Sequence, residues 1–196
     1  MNALARIDAA ARRWNVLDHP FYTRWSAGEL TRSELAFYAG EYRHAVTALA
    51  DAAAAAGDPE HAQEEAEHVG LWDAFAAALE APLDREPTPE TAACAEAWGR
   101  ADRPEALAVL YAVESGQPAI SETKLRGLVT HYGFAPDGAG TEYFALHAER
   151  DKEHARAART QLARVAPEDE ERLAAAAENA LRANWLLLDG VERAAA

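Results

Sequence analysis

Apolar residues return every three or four positions along most of the chain, the spacing that lines one face of an α-helix. One such run passes through Leu35, Tyr38, Tyr42, Val46 and Leu49. Thr31-Arg32-Ser33-Glu34 opens it as a capping box, in which a hydroxyl and a carboxylate each satisfy a free backbone amide. It closes near Gly57. Asp58-Pro59 predicts the next start, because proline suits the first helical position. That helix carries His61, Glu65, His68, Leu71, Trp72 and Phe75 to about Leu79. Pro82, Pro87 and Pro89 mark a loop, and Thr88-Pro89-Glu90 caps a helix through Ala93 and Trp98. Pro104 opens another, ending near Ser115-Gly116, and a further one spans Ala119 to Tyr132 before Gly133. After the Pro136-Asp137-Gly138 turn, a long helix is expected from Thr141 to about Val165, and Pro167 begins the last, which reaches Leu188. No window shows the period-two alternation of a strand. The pattern predicts an all-α, single-domain helical bundle of about seven helices spanning residues 1–196. Tyr22 precedes the first capped helix and is expected in a connection.

Composition narrows the functions. With 33 acids against 19 cations, the net charge is −14. That balance argues against a nucleic-acid groove or an anionic membrane surface, both of which need clustered cations. No apolar stretch is long enough for a transmembrane helix, and the first turns lack the layout of a secretory signal. The single cysteine, Cys94, excludes a disulfide framework and a cysteine zinc site. A reducing cytoplasm is the expected compartment. Only Lys124 and Lys152 are lysines among the 19 cations. Where arginine serves almost everywhere, a retained lysine draws notice.

The chemistry concentrates on three helices. His147, Asp151 and His154 stand at i, i+4 and i+7, which puts all three on one stripe. Two imidazoles and a carboxylate on one stripe can close on a metal ion, although a solvated polar face has the same pattern. Glu65 and His68 form a Glu-x-x-His pair, the spacing used in carboxylate-bridged di-iron bundles. Glu64 is an alternative to Glu65, and His61 lies on the same face. Glu114 is the sole acid at the end of the apolar run from Ala106 to Val113. A carboxylate there is costly to bury unless it is paired or binds metal. Glu65, His68, Glu114, His147, Asp151 and His154 together suit two metal ions.

These segments resemble the heme-oxygenase-like dimetal oxidases, the all-helical group that shares its fold with TenA and PqqC. Within that group the chain is most similar to the CADD-like para-aminobenzoate synthases. The resemblance covers His19-Pro20-Phe21-Tyr22 with Trp25, Leu71-Trp72 and Phe75 after His68, and Leu110-Tyr111-Ala112-Val113-Glu114-Ser115. It extends through Pro118, Lys124, Gly127-Leu128 and Tyr132-Gly133-Phe134 to the His147/Asp151/His154 stripe. It implies a heme-oxygenase/TenA-like fold, two metal ions (Fe/Fe or Fe/Mn), dioxygen and an external reductant as partners, and a homodimer. It also implies that the protein is its own substrate. Tyr22 would supply the aromatic skeleton and Lys124 the amine of para-aminobenzoate, destined for folate synthesis. Where the family carries a second tyrosine just before the glutamate, this chain has Val113, so that role is lost or passes to Tyr111. The family's first metal glutamate falls at His61, so the ligand is carried over to Glu65 by analogy.

Other functions use the same fold. A dimetal oxidase acting on a diffusible amino acid or fatty acid would share the ligands but need an ordinary pocket. A thiamine-salvage hydrolase would need Cys94 as nucleophile, and that residue lies away from the motifs. A binding protein without catalysis would not explain six candidate ligands on three helices.

Overall fold

The computed structural model describes residues 2–99 and 102–195. Among them there are nine α-helices, two short 3-10 turns and no strand. In chain order the helices are α1 (Ala3–Arg13), α2 (Pro20–Ala27), α3 (Arg32–Ala56), α4 (Pro59–Ala78), α5 (Pro89–Gly99), α6 (Arg103–Glu114), α7 (Gln117–His131), α8 (Glu142–Leu162) and α9 (Glu170–Ala195). The two helices beyond the expected seven precede Thr31. Their start signals are less familiar than a capping box. Asn2 caps α1 through Ala5 N, and the His19 ring accepts from Phe21 N to cap α2, with Pro20 in its first turn. Tyr22 therefore lies in a helix, not in a connection.

The capped starts appear where the sequence places them. Thr31 and Glu34 form the reciprocal box at α3, and Asp58 accepts from Glu60 N and His61 N at α4. Gly57 ends α3 at φ 81°, a left-handed conformation that glycine adopts without a Cβ penalty. Three boundaries shift. Helix α7 begins at Gln117, because Pro118 belongs inside its first turn. Helix α8 stops at Leu162. Pro167 opens a 3-10 turn, Pro167–Asp169, and α9 then runs to Ala195 through Gly190.

Helix α3 packs against α4, α5 and α6, and α9 closes the far side against α1, α5 and α6. The main core is strongly aromatic: Trp25, Tyr38, Tyr42, Trp72, Phe75, Trp98 and Phe144 are all buried. A smaller core joins α1, α6, α8 and α9 around Ile7, Tyr111, Leu162 and Leu173. Helix α7 lies close on α2. A Cβ at Gly127 would stand 2.6 Å from the Trp25 ring, and the Trp25 indole donates to Lys124 O at 3.2 Å. The glycine thus sets the depth at which α7 inserts Lys124. No helix among the described residues is long and apolar enough to cross a membrane.

Candidate metal centre and aromatic box

Helices α4, α6 and α8 supply a cluster of imidazoles and carboxylates. Ligand atoms of His61, Glu65, Glu114 and His154 all lie within 4.8 Å of one another, and the same holds for Glu65, His68 and His147. Glu65 belongs to both groups. His61 lies four residues before Glu65 and seven before His68, on the same stripe of α4. That shared face was the signal in the sequence for a residue left outside the expected ligand set. Asp151 is in neither group, but it is 1% exposed and close enough to Glu114 and Glu65 for their charges to act on it. Of the two adjacent acids, Glu65 faces the cluster. Glu64 turns outward into the fork of Arg150, whose Nε donates at 3.0 Å.

Several of these polar atoms have no hydrogen-bond partner. His61 Nε2 is 3.0 Å from Glu114 Oε1, yet the two are not aligned as a hydrogen bond. Both oxygens of Glu114, both of Asp151, His147 Nε2 and His154 Nδ1 are also buried without a hydrogen-bond partner. Unpaired buried polar atoms are costly, and divalent cations satisfy such a set. Four imidazoles and three carboxylates match the donor preference of first-row metals such as iron. The His147 ring is already oriented, since its Nδ1 donates to Tyr143 O at 2.7 Å and leaves Nε2 free. This is the outer hydrogen bond that metal-binding histidines usually make.

Without cations the charges sit uneasily. Burial raises the Asp151 carboxyl well above its ordinary range, and the Glu114 and Glu65 charges add to the shift. Burial lifts Glu114 to about 7 against the opposing pull of His61. Burial also lowers His147 to about 4. For Glu65, burial acts upward, but the hydrogen bond with His68 at 2.9 Å and the surrounding imidazoles prevail and hold its carboxyl low.

Next to this cluster is a box of aromatic rings around Lys124. The Lys124 side chain is fully buried and Nζ has no hydrogen-bond partner. Nζ stands 4.6 Å from the Tyr42 ring centroid and 5.4 Å from those of Tyr22, Tyr38 and Trp72. The ring faces offer it only cation–π attraction, and burial depresses its pKa to about 7. The Tyr22 and Tyr38 hydroxyls are 3.0 Å apart. Burial raises the pKa of the Tyr22 phenol, so it keeps its proton. Tyr143 links box and cluster: its ring stacks on His147 at 3.9 Å and meets Trp72 at 4.9 Å.

Other candidates are elsewhere. Tyr111 donates to Asp8 at 2.7 Å and packs in the smaller core, not in the box around Lys124. Cys94 is buried, and burial pushes its thiol pKa up, the opposite of an activated nucleophile. Lys152 is a surface lysine paired with Glu149 at 3.0 Å.

The depressed lysine pKa has a thermodynamic consequence in the metal-free protein. Between about 7 and the ordinary 10.5, the unfolded chain binds a proton that the folded chain does not. Stability therefore rises with pH across that window, and the full penalty is present below it. Lys124→Met has nothing to titrate there. Its stability advantage over the natural protein should be largest near neutral pH and shrink toward the upper end of the window. Thermal midpoints of both proteins across the range check this, and a constant gap would contradict the buried neutral amine.

The fold and the donor set agree with the relatives of this chain. The model of the iron-containing redox enzyme family matches residues 23–187. A 4-aminobenzoate synthase of Chlamydia muridarum is 28% identical, over 96% of this chain and 89% of the relative. One of Nitrosomonas europaea is 30% identical, over 95% of this chain and 89% of the relative. A TenA homolog from Pseudomonas syringae superposes with a TM-score of 0.81 at 17% identity, covering 97% of this chain and 91% of that one, which shows the fold. With a donor set suited to iron and a family model spanning most of its length, the chain belongs to the iron-containing redox enzymes and is an oxidoreductase.

Proposed function

We propose that this chain makes 4-aminobenzoate from its own side chains, with Tyr22 as the ring donor and Lys124 as the amine donor. The observation that carries this reading is the pairing of those two residues. A fully buried, unpartnered lysine amine stands 5.4 Å from the ring of a fully buried tyrosine. A structural role alone does not account for Lys124. Sealing an amine inside a wall of aromatic rings costs stability and favours its neutral form. A neutral amine carries the lone pair that carbon–nitrogen bond formation requires. The names of the Chlamydia muridarum and Nitrosomonas europaea relatives support the same product.

Glu65, His68, Glu114, His147, Asp151 and His154, joined by His61, would hold two metal ions, iron with iron or iron with manganese. When bound, such a pair supplies the activation of dioxygen, with electrons from an external reductant. The protein's own groups do the rest. The aromatic walls exclude water from the reacting side chains. Tyr38, whose hydroxyl is 3.0 Å from that of Tyr22, holds the phenol in a hydrogen bond and fixes the orientation of its ring. Tyr143 keeps the His147 ring and the aromatic box in register.

Protein grown with ring-labelled tyrosine, loaded with iron, reduced and exposed to air should release labelled 4-aminobenzoate. The chain should become lighter by intact mass, with the loss of the ring mapping to Tyr22 and the loss of the amine nitrogen to Lys124. Free labelled tyrosine added to unlabelled protein should leave the product unlabelled. Label arriving from free tyrosine would instead make the chain a dimetal oxidase working on a diffusible substrate.

A further inference from the structure

The metal cluster is not sealed on every side. A cleft of about 360 Å³ opens over it, lined by His61, Glu64, Arg103, Leu110, Arg150 and His154. The His61 and His154 side chains keep 13% and 10% exposure, whereas Glu114, His147 and Asp151 are each 1% exposed on the interior side. Glu64 stands at this mouth. One of its oxygens is 3.0 Å from His154 Nε2, and Arg150 grips the carboxylate with Nε and Nη2. Arg150 is itself held by Glu153 one turn along α8.

Resting on the metal reading above, we infer that Glu64, clamped by Arg150, is the positioning residue that orients His154 toward the ion on the cleft side. An imidazole can present one nitrogen as N–H and the other as a lone pair. The negative carboxylate 3.0 Å from Nε2 favours the tautomer with its proton there, and a small rotation of the ring brings that N–H into line with it. The lone pair is then on Nδ1, which is buried and has no hydrogen-bond partner. A carboxylate that receives the outer N–H of a ligand histidine fixes the ring and raises its basicity. The two sides of the centre are therefore built differently. His147 is oriented by a backbone carbonyl deep in the core. His154 is oriented by an ion pair at the water-facing mouth, which side-chain rotation can open. An ion held by His61 and His154 would exchange with solvent through this mouth.

Ferrous iron titrated anaerobically into the metal-free protein tests this. Glu64→Ala should weaken one of two binding steps by about 10–100-fold, the effect usual for loss of such an outer partner, and leave the other step unchanged. Glu64→Gln keeps an acceptor oxygen and should recover most of the loss. Arg150→Ala should keep the stoichiometry but speed the release of one ion to a chelator. The metal-free thermal midpoints of Glu64→Ala and Glu64→Gln should match each other, since both lose the same ion pair. If Glu64→Ala binds two ions with natural affinity, or weakens both steps equally, Glu64 does not position His154. If the natural protein binds no ferrous iron, the metal reading falls and takes this inference with it.

Discussion

Tyr22→Phe and Lys124→Arg should each abolish 4-aminobenzoate formation while leaving metal content at the natural level. Phenylalanine preserves the ring in the box and removes only the hydroxyl that faces Tyr38 at 3.0 Å. A lost buried hydrogen bond costs about 1–2 kcal/mol, against a total stability of about 5–15 kcal/mol for a typical domain. The variant should therefore fold, and its failure would report the chemistry. A phenol yields an electron and a proton far more readily than an unsubstituted ring, so the phenylalanine ring is not released. Arginine keeps a cation at position 124 but has no titratable lone pair, because the guanidinium stays charged. Lys124→Met, which suits an apolar box better than a buried charge, guards against misfolding as the cause. All three variants should bind iron as the natural protein does, since neither residue is among the candidate ligands. Liquid chromatography of the released product beside metal analysis reads both quantities. Product from either Tyr22→Phe or Lys124→Met would rule out the self-consuming reaction.

How far the sequence reveals this protein depends on whether a signal is local. The His147/Asp151/His154 stripe is local, because a 3.6-residue period aligns the three on one helix. Glu114 is visible because a single acid interrupts an apolar run. The box around Lys124 is not visible, since its walls come from α2, α3, α4 and α8. Only lysine scarcity and the family resemblance point to that residue. The choice between Glu64 and Glu65 lies beyond any local pattern. Adjacent residues differ by about 100° around a helix, and the deciding partner is Arg150, on a different helix. His61 shares the stripe of Glu65 and His68, but its contact with Glu114 exists only once α4 and α6 pack together. Helix α2 is hidden because its cap is a histidine ring, a rarer acceptor than serine or aspartate.

Glu65→Ala should empty both metal positions, whereas His154→Ala and His68→Ala should each empty mainly one. Glu65 is the residue common to the two ligand groups, so it would serve both positions if two ions were held there. Removing that carboxylate takes a negative charge from both positions and leaves their positive charges unscreened from each other. His154 belongs only to the group with His61 and Glu114, and His68 only to the group with His147. Loss of folding does not explain such a pattern. In the metal-free protein Glu65 shares its region with the buried carboxyls of Glu114 and Asp151, and its charge helps to raise both. Alanine at that position relieves this repulsion but also removes the 2.9 Å hydrogen bond to His68, so the metal-free melting curve of each variant, read beside its metal content, separates loss of a ligand from loss of the fold. Elemental analysis of protein purified without chelator and reloaded with ferrous iron gives the stoichiometries. Two ions retained by Glu65→Ala would show that the carboxylate does not bridge. A single ion lost equally by all three variants would show one mononuclear site in place of a pair.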